Sequence, residues 1–125
     1  MKNLKPIRNV MAFLLIVALL ATALLLGAFG DQALAAKPRT WQVDDDGQDY
    51  PNADFTRIQD AVDAASTGDS ILVYPGTYTE NVDVNKSLTI KSESRAGSTI
   101  VEAASSDERV FDVTADYVNI SGFAL

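Results

Sequence analysis

Three hydrophobic patterns follow one another along the chain. From Val10 to Phe29 it is apolar throughout, interrupted only by Thr22 and Gly27. From Phe55 to Ala65 the apolar positions Phe55, Ile58, Ala61, Val62 and Ala65 recur at helical spacing, and Asp54 stands before them as a candidate N-cap. Gly68 follows as a stop. From Ser70 onward the spacing is that of strands. The segments Ile71–Tyr74, Thr77–Val84, Leu88–Lys91, Thr99–Val101, Val110–Val113 and Val118–Phe123 are short and divided by turn formers, and Trp41–Val43 adds an earlier strand.

The first pattern reads as an export device. Lys2, Lys5 and Arg8 precede the apolar run, and Ala33-Leu34-Ala35-Ala36 follows it, the order of a secretory signal with an A-x-A-like cleavage site. The run is also long enough to span a bilayer, so an uncleaved N-terminal anchor stays open. Both readings put Lys37 onward outside the cytoplasm, secreted or at the cell surface. Membrane contact is expected only through residues 10–29, and only if the segment stays uncleaved. The expected organisation is 1–36 for the signal or anchor, 37–54 for a linker, first strand and acidic loop, and 55–125 for the helix and the strands after it.

Several short strands without Asn-Gly hairpins suit a sandwich, a barrel or a solenoid. Recurrence favours the solenoid. Ile71-Leu72-Val73, Leu88-Thr89-Ile90 and Val118-Asn119-Ile120 are similar, with steps of 17 and then 30 residues between them. Alternate β-branched or Leu positions would fill a common interior. The helix would cover one end, which a stack of strands needs to keep its first edge from pairing. The chain reaches Leu125 in mid-strand with barely two coils, so the expectation is an incomplete β-helix, a fragment of a longer protein.

Charge narrows the partners. From Lys37 there are 16 acidic and 7 basic residues, a net charge of −9. Nucleic acids and anionic lipid surfaces need clustered Lys or Arg, so neither is expected as a partner. No cysteine is present to staple the exported part.

Two longer stretches carry a family resemblance. They are Phe55-Thr56-Arg57-Ile58-Gln59-Asp60-Ala61-Val62-Asp63-Ala64-Ala65 with Gly68-Asp69, and Val73-Tyr74-Pro75-Gly76-Thr77-Tyr78-Thr79-Glu80-Asn81-Val82 with Leu88-Thr89-Ile90. Together they resemble the opening of pectin-lyase-like proteins, and Val118–Phe123 resembles their strand-and-turn repeat. The resemblance implies an all-β fold, a right-handed parallel β-helix with an N-terminal capping helix. Asp44-Asp45-Asp46-Gly47 and Gly68-Asp69-Ser70-Ile71 are similar to the surface, NosD-like branch. Phe55–Gln59 and Gly76–Glu80 are similar to the first coil of pectin methylesterase. The first branch implies an exported surface scaffold that engages polysaccharide or other cell-surface components. The second implies the N-terminal part of a polysaccharide-active esterase or lyase whose site lies on later coils. Enzymes and non-enzymes share this opening, so it assigns no catalytic residue here.

Candidate chemistry is sparse. Asp44, Asp46 and Asp49 could supply carboxylate oxygens to calcium, although their spacing differs from an EF-hand loop. The competing reading is a solvated acidic turn. No other cofactor is implied. Copper lacks ligands, because both methionines lie before Lys37 and the chain has no His or Cys. Asp83, Glu93, Glu102, Asp112 and Asp116 are expected on outer faces as solubilising acids. Trp41, Tyr74, Tyr78 and Tyr117 could stack on sugars if exposed. Packing of Trp41 and Tyr78 into the first coil is the stronger expectation. Asn85-Lys86-Ser87 and Asn119-Ile120-Ser121 match the N-glycosylation sequon. Asn85 falls in an expected turn and is the preferred acceptor, whereas Asn119 is expected to stay in the coil.

Overall fold

The computed structural model describes residues 35–125, so the export segment expected over 1–36 lies almost wholly outside the described residues. Among the described residues no helix is long and apolar enough to cross a membrane. The chain from Lys37 is mostly strand, with one short helix. In order it forms β1 (Thr40–Val43), α1 (Ile58–Ala64), β2 (Ser70–Val73), β3 (Gly76–Thr79), β4 (Val82–Val84), β5 (Thr89–Ser92), β6 (Thr99–Glu102), β7 (Phe111–Val113) and β8 (Asn119–Ser121).

Every ladder is parallel. One sheet runs β1-β2-β5-β8, and two-stranded sheets join β3 to β6 and β4 to β7. Three strands in succession thus pair with the three that follow, one from each sheet. A parallel pair needs a long return path; between β1 and β2 the acidic loop and α1 supply it, and after β2 the strands of the other sheets do.

Register sets the interior. Trp41, Ile71, Ile90 and Ile120 form one inward column, and Val43 and Val73 form another. Tyr78 lies beside Val101, and Val82 beside Phe111. Val43, Ile71, Val73, Val82, Val84, Ile90 and Val101 are wholly buried. Intervening residues such as Thr77, Asp83 and Lys91 point outward and are exposed. This is the two-residue alternation of strands. Near the last strands Phe111, Ile120 and Phe123 are half-buried, and Val113 and Leu125 are exposed.

The second circuit is longer than the first, and the extra residues fall at corners. Ile71 pairs with Ile90, 19 residues on, and Ile90 with Ile120, 30 residues on. The expected 17-residue step aligned Leu88, rather than Ile90, with Ile71. Leu88 lies instead before β5, with its side chain buried. The slip is two residues, so every side chain kept its face.

The turn from β3 to β4 is Glu80-Asn81, whereas the matching connection from β6 to β7 runs from Ala103 to Val110. Thr77–Val84 is therefore two strands with a corner between them, not one strand. At the next corner four residues separate β4 from β5 and five separate β7 from β8. Tyr117 adopts φ of 56° within the longer turn.

The helix is shorter than its periodicity suggested. Phe55 falls on the helical face but is drawn out as a strand-like partner of Val43. Its N–H donates to Gln42 O at 3.1 Å, and its carbonyl accepts from Asp44 N at 3.0 Å. Asp54 does not cap α1. Its carboxylate accepts from Gln42 N and from the Arg39 guanidinium, both at 3.0 Å.

The expected cap is replaced by a residue distant in sequence. The buried Glu80 carboxylate accepts from Ile58 N and Gln59 N, each at 2.9 Å. At the other end Lys86 Nζ donates to Val62 O, Asp63 O and Ala65 O at 2.8, 2.9 and 2.8 Å. An acid at the N-terminus and a base at the C-terminus also match the helix dipole. A seven-residue helix is too short to be stable by itself. Its form depends on burial of Ile58, Ala61 and Val62 and on this clamp. Lys86→Met keeps much of the apolar stem and removes the donors. It is expected to cost about 1.5–3 kcal/mol, the scale of hydrogen bonds to charged groups, and thermal or urea unfolding of the purified chain checks it.

Candidate functional site

Three places on the surface bring chemistry together. The first is the acidic loop between β1 and α1. Asp44, Asp46 and Asp49 each turn one carboxylate oxygen to within 4.8 Å of the others, with Asp44 buried and the other two exposed. Asp44 holds the loop in shape, since one oxygen accepts from Asp46 N and the other from Tyr50 N. Asp46 accepts from Gln48 N at 2.9 Å. Two of the three carboxylates therefore already serve backbone donors, which accounts for the loop without an ion. A hard cation takes six to eight oxygens. At this loop it would find three carboxylates and draw the rest from water.

Asp45 faces the other way. Its carboxylate accepts from Thr77 N at 3.1 Å and lies on Gly76, where a Cβ would collide with it. That contact is why position 76 needs glycine.

Aromatic side chains surround this loop. Tyr50 and Tyr74 stack with ring centroids 4.9 Å apart, and Tyr74 Oη donates to Gln42 Oε1 at 3.1 Å. Burial first, then the neighbouring Tyr50, Glu93 and Asp44, raises the Tyr74 phenol above its usual value. Tyr78 is buried and donates to Tyr74 O at 3.0 Å, and burial raises its phenol strongly. Trp41 packs on Phe55 at 5.6 Å, lies under the Arg39 guanidinium and donates from Nε1 to Asp69 at 3.0 Å. Trp41 and Tyr78 are thus part of the packing, as expected. Tyr117, 94% exposed, is the open aromatic among the described residues.

The second place is an open cavity of about 360 Å³ outside β4 and β7, lined by Asn81, Asp83, Asp107, Glu108, Arg109 and Asp112. Asp83 and Asp112 are direct neighbours across the ladder, where like charges repel. Arg109 relieves this in part, with Nη1 3.6 Å from Asp112 Oδ1. Asn81 secures the wall, donating to Arg109 O at 2.7 Å and accepting from Ser105 N at 3.0 Å. The long connection between β6 and β7 supplies three of the six lining residues. Sequence reasoning placed Asp83 and Asp112 outside but missed Asp107, Glu108 and Arg109, because only the register shows that their loop folds over β4.

The third place is the pair of sequons. Asn85 is exposed, as expected, but Ser87 Oγ donates to Asp116 O at 2.7 Å and Lys86 is tied to α1. Asn119 lies in the coil, as expected. It begins β8, and both it and Ser121 are exposed.

Comparison with known proteins gives one informative relative. The chain is 49% identical over 73 residues to a cell surface glycoprotein of Methanothermus fervidus. This chain, too, lies at the cell surface or outside it. The aligned part is 57% of this chain and 12% of that protein, so the chain spans about an eighth of its relative's length. No family model matches the chain, and no solved structure matches it.

Proposed function

We propose that the chain is part of a right-handed parallel β-helix that serves as a cell-surface scaffold and engages polysaccharide or other surface components on its outer faces. The observation that carries the surface role is the 49% identity to a cell surface glycoprotein. Support for the β-helix comes from the three parallel sheets and from strands that return in the same order on each circuit. Right-handedness follows from the strong preference of parallel crossovers for that hand. The family resemblance to pectin-lyase-like proteins fits the same architecture.

The cavity outside β4 and β7 is the proposed contact for sugar. Its carboxylates, the Asn81 amide and the Arg109 guanidinium can pair with hydroxyls. Protease treatment of intact cells tests the location. Release or loss of the chain without lysis is expected, and full protection would overturn the surface role. Binding of the exported protein to isolated cell-wall polysaccharide tests the contact. Asp83→Ala with Asp112→Ala is expected to weaken binding about tenfold, the effect of losing about 1.4 kcal/mol. Unchanged binding would move the contact elsewhere.

A further inference from the structure

We propose that Asn119 is an N-glycosylation site of the folded chain and is used in preference to Asn85. The two sequons have the same form, Asn-x-Ser, but the fold treats them differently. In β8 the two-residue alternation sends Asn119 and Ser121 to one face and Ile120 to the other. Ile120 faces inward beside Ile90. Asn119 continues the outward column of Ser70 and Thr89, and Ser121 continues that of Leu72 and Lys91. Both sequon side chains are exposed, and neither has a hydrogen-bond partner among the described residues.

A saccharide on Asn119 would leave the sheet along its outer normal. It would displace no core residue and leave the backbone edge of β8 clear.

Asn85 offers less. The hydroxyl of its sequon is spent on Asp116 O at 2.7 Å. The middle residue, Lys86, holds three carbonyls at the end of α1. A transferase that must engage the hydroxyl together with the amide would have to break the corner and release the helix clamp. At Asn119 both sequon side chains are unengaged among the described residues, and what holds the segment is its backbone ladder with β5, including Asn119 N–H to Leu88 O at 3.0 Å.

The transfer needs a sugar activated at its anomeric carbon as a lipid-linked phosphate or pyrophosphate ester. The Asn119 Nδ2–C1 bond forms as the C1–O bond to phosphate breaks. The phosphate leaves with the bonding electron pair, and the amide nitrogen gives up one proton.

The inference rests on the extracytoplasmic location, so the test reads both. The full chain is purified from cells that export it naturally, digested with trypsin and analysed by mass spectrometry. The peptide starting at Val110 carries Asn119, and Ile58–Lys86 carries Asn85. Saccharide occupancy at Asn119 is expected to be at least tenfold that at Asn85. Ser121→Ala should abolish it and Ser121→Thr should retain it. Equal occupancy, the reverse order, or a bare Asn119 on a chain that intact-cell proteolysis finds at the surface overturns the proposal. A chain protected from that protease overturns the location, and the proposal with it.

Discussion

Replacing Glu80 with alanine is expected to cost about 3 kcal/mol and to lower the melting temperature by about 15 °C. The carboxylate is buried and accepts from the N–H groups of Ile58 and Gln59, both at 2.9 Å. Without it two helix donors lose their partner in a place that water does not readily reach. Leaving a buried donor unsatisfied costs about 1–3 kcal/mol, and in a domain of this size each kcal/mol moves the midpoint by roughly 4–8 °C. Glu80→Gln keeps the shape and one acceptor oxygen, so about half that loss is expected. Thermal melts of the three proteins check the ranking. A Glu80→Ala protein that melts within 3 °C or so of the parent would mean that the clamp contributes little.

Asp69 carries the second large effect. It is buried, and its carboxylate accepts from Arg39 N at 2.8 Å, Ser66 N at 2.9 Å and Trp41 Nε1 at 3.0 Å. It thereby ties β1 to the segment that follows α1. The hydrogen bond from Arg39, then those from Ser66 and Trp41, favour the ionised form and lower its pKa from 3.8. A lowered pKa means that the unfolded chain binds the proton more readily. The stabilisation is therefore complete well above pH 4 and is lost as pH falls through the folded value. Asp69→Asn removes this dependence, at an expected cost of about 2 kcal/mol at neutral pH. Melting temperatures measured from pH 2 to 6 should show the gap between parent and variant closing below about pH 4. A gap that stays constant to pH 2 would show that the ionised carboxylate is not the acceptor that matters.

Much of this fold was legible because strand periodicity is local. Alternate β-branched or Leu positions were expected to fill a common interior, and Ile71, Val73, Val82, Val84 and Ile90 are all buried. The three similar strands were expected to recur and indeed stack as β2, β5 and β8. A two-residue error in the first step did no harm, because a period of two is blind to it. What failed was decided by distant partners. Phe55 has the right spacing for α1, but Val43 claims it as a strand neighbour. Asp54 looks like an N-cap, but Gln42 N and Arg39 are closer claimants.

The candidate sites divide in the same way. The acidic loop is contiguous in sequence, so Asp44, Asp46 and Asp49 could be named from spacing, and they do converge. The cavity at Asn81, Asp83, Asp107, Glu108, Arg109 and Asp112 could not be named, since residues some 25 positions apart meet there through strand register. Asn119 was expected to stay in the coil because it falls within a strand, and it does. Its neighbour Ile120 took the inward place, and alternation left the asparagine outside.

By itself, then, the sequence determined the elements, the inward face of each strand, the acidic balance and the two sequons. All of these follow from neighbours within a few residues. Tertiary structure alone decided that Glu80 and Lys86 clamp α1, that the longer second circuit walls a cavity, and that Ser87 is engaged while Ser121 is exposed. The physical reason is that each of these depends on which residue of one circuit lies over which residue of the next. That register is set by the summed packing of the interior and by the residues added at corners, and no local pattern records it.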